Sequence, residues 1–574
     1  MVKEVLFPTG DKDGQAGARV ADPQRTGLRQ PLREVAPVFL ISCLVLFLGM
    51  SRRPIVYDEG LMLTAAMRVA AGQIPHRDFY ANYGPAQFYL VAGLFKLFGE
   101  TILVERLFDL VLKGLVVTAI YTITSSYCRR SVAVCTTAIA LFWLYGLNGS
   151  GSTIIPVSLL NLFGCFLILP VFLRRVSIGR MFTAGAVAGA AVLFRYDTGL
   201  ALVGIQAFVV VIAIYLREES SRLRTCASTI WPYLLGLMVV TLPPALYYLA
   251  VAPIHPLIRD IILFSVRYYH SSRNLPFPGI YPKSLENIEI YLPIVVAAVS
   301  LYIAVALHLE RRAEGASNSK SISEDRNWQG FLLTFGLLTL VMYCKGLVRV
   351  GLAQMYLSIV PSFLLIAVLF QHRWTFQRLG RISIVCFVWL SVLATTWATL
   401  HVFKLFYVEH LSVLERMVSV SRGTSSESET AWCKTANPLT KGFCFLPEGD
   451  RIQTIEFIDS HTRPDQQLYV GTTSHDRIFA NDNLTYFATL RMPATRWSHF
   501  DPNLQNSYDT QTQMVQELEV NAPPYIVLDS EFDLVREPND SSKSSGVTLL
   551  DEYLRKKYRR AETFGEMSVW QRVP

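Results

Sequence analysis

The chain has 574 residues, of which 51% are hydrophobic and 17% charged, and it carries a formal net charge of +8. The apolar residues concentrate between about 35 and 406, in repeated runs that meet the roughly 17–25 residues a hydrocarbon core demands. The basic residues are scattered over the short loops between those runs, which is a membrane protein's distribution and sets aside the nucleic-acid partner that net charge alone would suggest.

Residues 1–34 are polar and rich in Gly, Pro and Arg, and read as a disordered cytosolic tail. The run 35–50 is short enough for a signal peptide. Ser51-Arg52-Arg53-Pro54 offers no small-residue cleavage site, however, so an uncleaved first span is expected.

The loop 51–102 follows. It opens on Arg53-Pro54-Ile55-Val56-Tyr57-Asp58-Glu59-Gly60, with two adjacent carboxylates. Leu61, Thr64, Ala65 and Arg68 lie on helical spacing behind them, and Gly72 can stop that helix. A second apolar and aromatic stretch, Ala86–Phe98, begins after Tyr83-Gly84-Pro85. Both stretches are expected to lie along the membrane interface with their rings at headgroup depth. The acids have two readings. Carboxylates favour a helix N-terminus by roughly 0.3–1 kcal/mol, whereas an acidic pair at the mouth of a helical bundle is equipped for proton transfer at the water interface.

The remaining spans fall near 103–123, 132–147, 154–173, 181–196, 198–216, 229–251, 288–309, 329–343, 352–371 and 382–405. Eleven spans put the termini on opposite sides. One set of loops holds Arg25, Arg29 and Arg33, then Arg129 and Arg130, Arg174, Arg175 and Arg180, and Arg217, Arg222 and Arg224. It continues with Arg311, Arg312 and Lys320, and with Arg373, Arg378 and Arg381, a density that marks the cytoplasmic side. The opposite side then receives the 51–102 loop, the Asn148–Thr153 turn, the Arg195–Thr198 turn, the 252–287 loop, the Lys345–Gly351 turn and everything after about 406.

Arg195-Tyr196-Asp197 interrupts an almost continuous apolar stretch. A charge deep in a span costs on the order of 2.5–3.5 kcal/mol, so these residues form either a hairpin tip with a local ion pair or a cation and an acid lining a polar cavity. Lys345 and Arg349 present the same choice on another turn. Cations on two turns of one face suit a phosphate, which Arg grips in a forked geometry. The 252–287 loop mixes His255, Arg259, Asp260, Arg267, Tyr268, Tyr269, His270 and Arg273 ahead of Leu275-Pro276-Phe277-Pro278. It reads either as a sugar- and phosphate-binding loop or as a surface helix with snorkelling bases.

Most of the nine cysteines sit in or beside apolar spans with no metal-type spacing. Cys433 and Cys444 lie close together in the polar C-terminal part, and form a disulfide if that part is outside the cytosol or else stay unpaired. Residues 407–450 read as a linker and 451–574 as a small soluble α/β domain. Its expected strands are 467–471 and 524–529, its helices 510–521 and 548–558, and its closing strand 564–573, with parallel pairing. No Gly-rich phosphate loop opens a helix there, so a nucleotide site is unsupported.

Tyr57-Asp58-Glu59-Gly60, the segment Ala71-Gly72-Gln73-Ile74-Pro75-His76-Arg77-Asp78-Phe79, and Tyr83-Gly84-Pro85 together resemble the first outer loop of GT-C glycosyltransferases. The likeness is to bacterial relatives of the dolichyl-phosphate-mannose–protein mannosyltransferases and of lipid A aminoarabinose transferase. Leu193-Phe194-Arg195-Tyr196-Asp197-Thr198-Gly199 and Leu275–Pro278 also look like that group, and the resemblance covers most of the chain. It implies a GT-C type α-helical polytopic membrane protein in the cell (inner) membrane, with about 11 transmembrane helices and a periplasmic or extracellular C-terminal α/β domain.

It further implies a polyprenyl-phosphate sugar donor, an acceptor hydroxyl on glycan, lipid or protein, and inversion at the anomeric carbon. Asp58 would be the general base and Glu59 would orient the acceptor or a cation. Arg195, Lys345, Arg349, Arg267 and Arg273 would hold the donor phosphate. Tyr57, Asp78, Tyr83, Asp197 and Tyr269 would line the sugar and acceptor. One acidic pair does not define a coordination shell, so a divalent cation is left open as a cofactor. The competing classes are a transporter or flippase for lipid-linked saccharides, which favours internal repeats and broken midplane helices, and an inactive assembly partner.

Overall fold

The computed structural model describes residues 32–146, 152–173, 177–216, 222–281, 287–314, 319–371 and 427–574. Helices occupy ten of the eleven expected spans: α1 (Leu32–Leu48), α4 (Ile102–Tyr127), α5 (Arg130–Gly146), α6 (Ile154–Ile168), α7 (Ile178–Phe194), α8 (Tyr196–Tyr215), α9 (Arg222–Val251), α10 (Ile288–Glu314), α11 (Ser319–Gly346) and α12 (Leu352–Gln371). The expected span 382–405 and tail residues 1–31 lie outside the described residues. Among the described residues, seven helices are long and apolar enough to cross a membrane by length and composition. The chain is a multi-pass membrane protein.

Without a hydrophobic drive between helices in lipid, membrane spans pack through small residues that let backbones approach. The α7–α9 contact follows that rule: a Cβ on Gly185 would strike the Tyr233 carbonyl, and one on Gly236 would strike the Phe182 carbonyl. At one end of the bundle, Tyr127 donates to Asn327 and the Arg129 amide to Gln371. The opposite end gathers the 51–102 loop, the 195–198 turn, the 252–281 segment and the 345–351 turn.

Two helices form in the 51–102 loop, α2 (Asp58–Ala70) and α3 (Ala86–Phe98). The structure corrects the interfacial reading of α2, which is buried at every position from Glu59 to Val69. The C-terminal part of the chain covers it. Thr64 donates to the Asn483 carbonyl at 2.7 Å, and a Cβ on Gly60 would lie 2.5 Å from the Leu484 amide nitrogen. The α3 helix does keep an exposed apolar face, at Leu90, Leu97 and Phe98.

The C-terminal part shares a hydrophobic core with this loop. Met62, Leu63, Phe88 and Phe95 pack in one cluster with Trp432, Phe445, Ile455, Leu484, Phe487, Val527 and Val569. Residues 427–450, expected as linker, hold α13 (Glu427–Trp432), the disulfide Cys433–Cys444, and an amide of Leu446 that donates to the Arg52 carbonyl. Behind them come α14 (Gly449–His461), β1 (Tyr469–Thr472), α15 (Leu484–Thr489), α16 (Tyr508–Asn521), β2 (Tyr525–Asp529), α17 (Leu549–Lys557), β3 (Tyr558–Phe564) and β4 (Met567–Arg572).

The sheet runs β1-β2-β4-β3, with β1 parallel to β2 and the other two pairs antiparallel. It is therefore mixed, where parallel pairing was expected. The β3 strand was missed because it is an edge strand exposed over Arg559–Thr563, with charges that read as loop.

Candidate active site

Asp58 is the first residue of α2 and remains exposed, while Glu59, the next residue, is fully buried. Among the described residues the Asp58 carboxylate has no hydrogen bond and no ion pair. Surrounding protein displaces water and pushes its carboxyl above the ordinary carboxylate range. The charges of Arg273, Arg349 and Arg195 pull it back, and Asp501 adds a smaller upward push. An acid without an ion pair thus stands within the electrostatic reach of three guanidinium groups, two of them in contact with its neighbours Tyr57 and Tyr83.

Each of those cations is anchored. Arg195 caps the junction of α7 and α8, with Nε 3.2 Å from Asp197 and Nη1 3.5 Å from Thr153 Oγ1. Its guanidinium sits 5.6 Å over the Tyr83 ring. Lys345, at the end of α11, reaches the other Asp197 oxygen at 3.1 Å. The motif glycines explain how these parts meet. A Cβ on Gly84 would strike the Leu193 carbonyl and one on Gly199 the Val192 amide, so only glycine lets the Tyr83 turn and the α7–α8 hairpin close.

Arg273 ends the helical segment 254–273, which includes the π-helical turns Arg259–Leu263 and Ser265–Tyr269. It donates to Asp501 Oδ1 at 3.1 Å and to the Tyr57 hydroxyl at 3.4 Å. Tyr57 in turn donates to the Phe500 carbonyl, and its hydroxyl lies 3.1 Å from His499 Nε2. Tyr83 stacks parallel to His499 at 6.3 Å. Burial holds His499 below the ordinary imidazole range. Arg349 grips Glu537 with both terminal nitrogens, at 2.8 and 2.6 Å, and also donates to the Arg273 carbonyl.

Most of the sequence candidates therefore converge: Tyr57, Asp58, Tyr83, Arg195, Asp197, Arg273, Lys345 and Arg349 belong to one connected region. Tyr269 is half-buried and its electrostatic influence reaches Tyr83, Arg195 and Arg273. Three candidates stand apart. Glu59 points into the protein, clasped by Arg106 at 2.5 and 2.7 Å, with the Ile55 amide donating to it at 2.8 Å. Asp78 closes its own loop, accepting from the Ile74 amide and from Arg77. Arg267 is exposed and joins none of these ion pairs.

Sequence reasoning missed Arg106, His499, Asp501 and Glu537. Arg106 had a signal, since Glu105, Arg106, Asp109 and Lys113 crowd one expected span. Of the other three, His499 and Asp501 lie more than 200 residues from Tyr57 and Arg273, and Glu537 lies 188 from Arg349, so none carries a local signal. Among the described residues, no group of three or more His, Cys, Asp or Glu side chains is arranged to hold a metal ion.

No family model and no curated protein matches the sequence. Solved structures do. ArnT from Cupriavidus metallidurans, determined bound to undecaprenyl phosphate, superposes with a TM-score of 0.55 at 13% identity, covering 95% of this chain and 98% of that one. Its apo state gives 0.54 at 12% identity, over 94% and 98% of the two chains. At such identity the likeness is one of fold, and it runs the length of both proteins. The chain is a multi-pass membrane protein with the GT-C fold of ArnT.

Proposed function

We propose that this protein is an inverting membrane glycosyltransferase that moves a sugar from a polyprenyl-phosphate donor to an acceptor hydroxyl. The observation that carries the reading is the exposed Asp58 carboxylate, without an ion pair among the described residues, beside Tyr57 and Tyr83, which contact Arg273 and Arg195, with Arg349 bonded to the Arg273 carbonyl. An acid in that setting can take a proton from the acceptor oxygen as it attacks the anomeric carbon. The bond from that carbon to the phosphate oxygen breaks on the opposite face. The departing polyprenyl phosphate gains negative charge, which fixed cations stabilise more in the transition state than in the ground state. Tyr57 and Tyr83 flank the acid and suit the sugar and acceptor. Asp197 serves by holding Arg195 and Lys345. That ArnT has been solved with undecaprenyl phosphate in the same fold favours this donor class.

The reaction takes place on the outer face of the cell membrane, with the N-terminus cytoplasmic. The arginine-rich loops at the other end support that orientation. So does the Cys433–Cys444 disulfide beside the site, because such bonds persist in oxidising compartments.

The test is purified protein in liposomes with a panel of labelled polyprenyl-phosphate sugars and membrane acceptor fractions. Wild type is expected to transfer at least one sugar. Asp58→Asn is expected to lose roughly 10²–10⁴-fold while accumulating normally. Undiminished transfer by that variant, or flipping of the labelled lipid without transfer, rules the reading out.

A further inference from the structure

The acid that holds Arg273 comes from the far end of the chain. Asp501 is 1% exposed and its carboxylate collects donors from three separate segments. Oδ2 accepts from the Tyr80 hydroxyl and from Asn82 Nδ2, each at 2.9 Å, and lies 3.3 Å from His499 Nε2. Oδ1 accepts from Arg273 Nη2 at 3.1 Å. The Asp501 amide is fixed in turn by Gln505 Oε1 at 2.6 Å, and Gln505 donates to the His499 carbonyl. Among the described residues Asp501 is the single carboxylate paired with Arg273.

A buried ion pair is weak evidence for a stabilising role, because an apolar pair of similar volume commonly serves as well. What an apolar pair cannot do is aim a cation. We propose that Asp501 is a positioning residue for the transfer reaction: delivered by the C-terminal domain, it fixes the Arg273 guanidinium toward Asp58, so the reaction centre is complete only while that domain is docked. This rests on the glycosyltransferase reading and adds to it a reason for the soluble domain to be continuous with the loop core.

The titratable and charged groups coupled to Asp58 are Arg273, Arg349, Arg195, Asp501, Tyr57 and Tyr83. Removing the Asp501 charge deletes one upward push on Asp58, and removing Arg273 deletes a downward pull. The Arg273 pull is the larger of the two, so an Asp501 that aims this guanidinium must, when removed, raise Asp58 as loss of Arg273 does, whereas an Asp501 that merely adds its own charge would lower it. The titration is read without substrate, from the pH dependence of carbodiimide labelling of Asp58 mapped by mass spectrometry on the full-length protein.

Asp501→Asn, which keeps an acceptor oxygen for Tyr80 and Asn82, is expected to raise the midpoint by roughly half a pH unit. It should also reduce kcat/KM for the donor about tenfold or more and speed phenylglyoxal modification of Arg273. Arg273→Gln is expected to raise the midpoint, and carries the test alone if Asp501→Asn does not accumulate. A midpoint lowered or unmoved in Asp501→Asn, an unmoved midpoint in Arg273→Gln, or undiminished transfer by Asp501→Asn overturns the positioning role. Normal transfer by Asp58→Asn instead overturns the underlying reading, and leaves the labelling midpoints to report separately on the Asp501–Arg273 contact.

Discussion

The sharpest consequence of the geometry concerns Glu59, whose sequence position invites a catalytic role and whose surroundings give it a structural one. Arg106 spends its whole guanidinium on the entry to α2. Nε and Nη2 clasp Glu59, Nη1 donates to the Ser51 carbonyl at 2.5 Å, and Nη2 also donates to the Arg53 carbonyl at 3.0 Å. The group also lies 4.9 Å over the Phe445 ring. The pair thus fixes the backbone that delivers Asp58.

Arg106→Met leaves a fully buried carboxylate uncompensated, which costs about 3–5 kcal/mol. At about 1.4 kcal/mol per tenfold, that is two to three and a half decades in the folded population. Replacing both partners removes the stranded charge, so Glu59→Met/Arg106→Met is expected to recover most of the loss. Glu59→Gln keeps an acceptor for the guanidinium and is expected to retain sugar transfer where Asp58→Asn loses it. The assay is thermal unfolding of the detergent-purified protein, with transfer measured on the same preparations. A Glu59→Gln protein with wild-type melting and no transfer would refute the structural assignment. So would an Arg106→Met protein as stable as wild type.

Three further outcomes follow from particular contacts. Gly60→Ala gains at most about 1 kcal/mol of helix propensity, yet its Cβ meets the Leu484 backbone at 2.5 Å. Overpacking of about 1–3 kcal/mol wins, and limited proteolysis should cut the C-terminal domain faster than in wild type. Asp58 must be ionised to act and the protein packed around it, by displacing water, raises its carboxyl, so kcat/KM is expected to climb with pH through a limb above the ordinary aspartate value. Arg349→Ala, which removes a downward pull, should move that limb higher, and an unmoved limb disproves the coupling. In the C-terminal domain, burial and the neighbouring Asp482 push Asp529 up to about 7, against the pull of Arg451. The folded state then holds a proton that the unfolded chain releases near pH 4. Stability falls as pH rises toward 7, and Asp529→Asn should flatten that decline in melting scans from pH 5 to 8.

Much of the architecture was legible because its cause is local. A hydrocarbon core needs long apolar runs, and ten helices coincide with such runs. The motif glycines at 60, 84 and 199 were visible too, although their reason, backbone against backbone, appears only in three dimensions. The edge strand β3 was lost because an exposed strand carries no hydrophobic pattern to read.

The sequence by itself determined where the acids and the scattered cations stand along the chain, because charges in apolar surroundings are costly and therefore conspicuous. It could not separate Asp58 from Glu59. Neighbouring residues on a helix point about 100° apart, and which of them meets water depends on what covers the helix. The tertiary structure decided that, by folding the C-terminal domain onto α2 and bringing Asp501 against Tyr80, Asn82 and Arg273. Contacts across hundreds of residues arise from burying a shared core, and no window of sequence contains both sides of that surface.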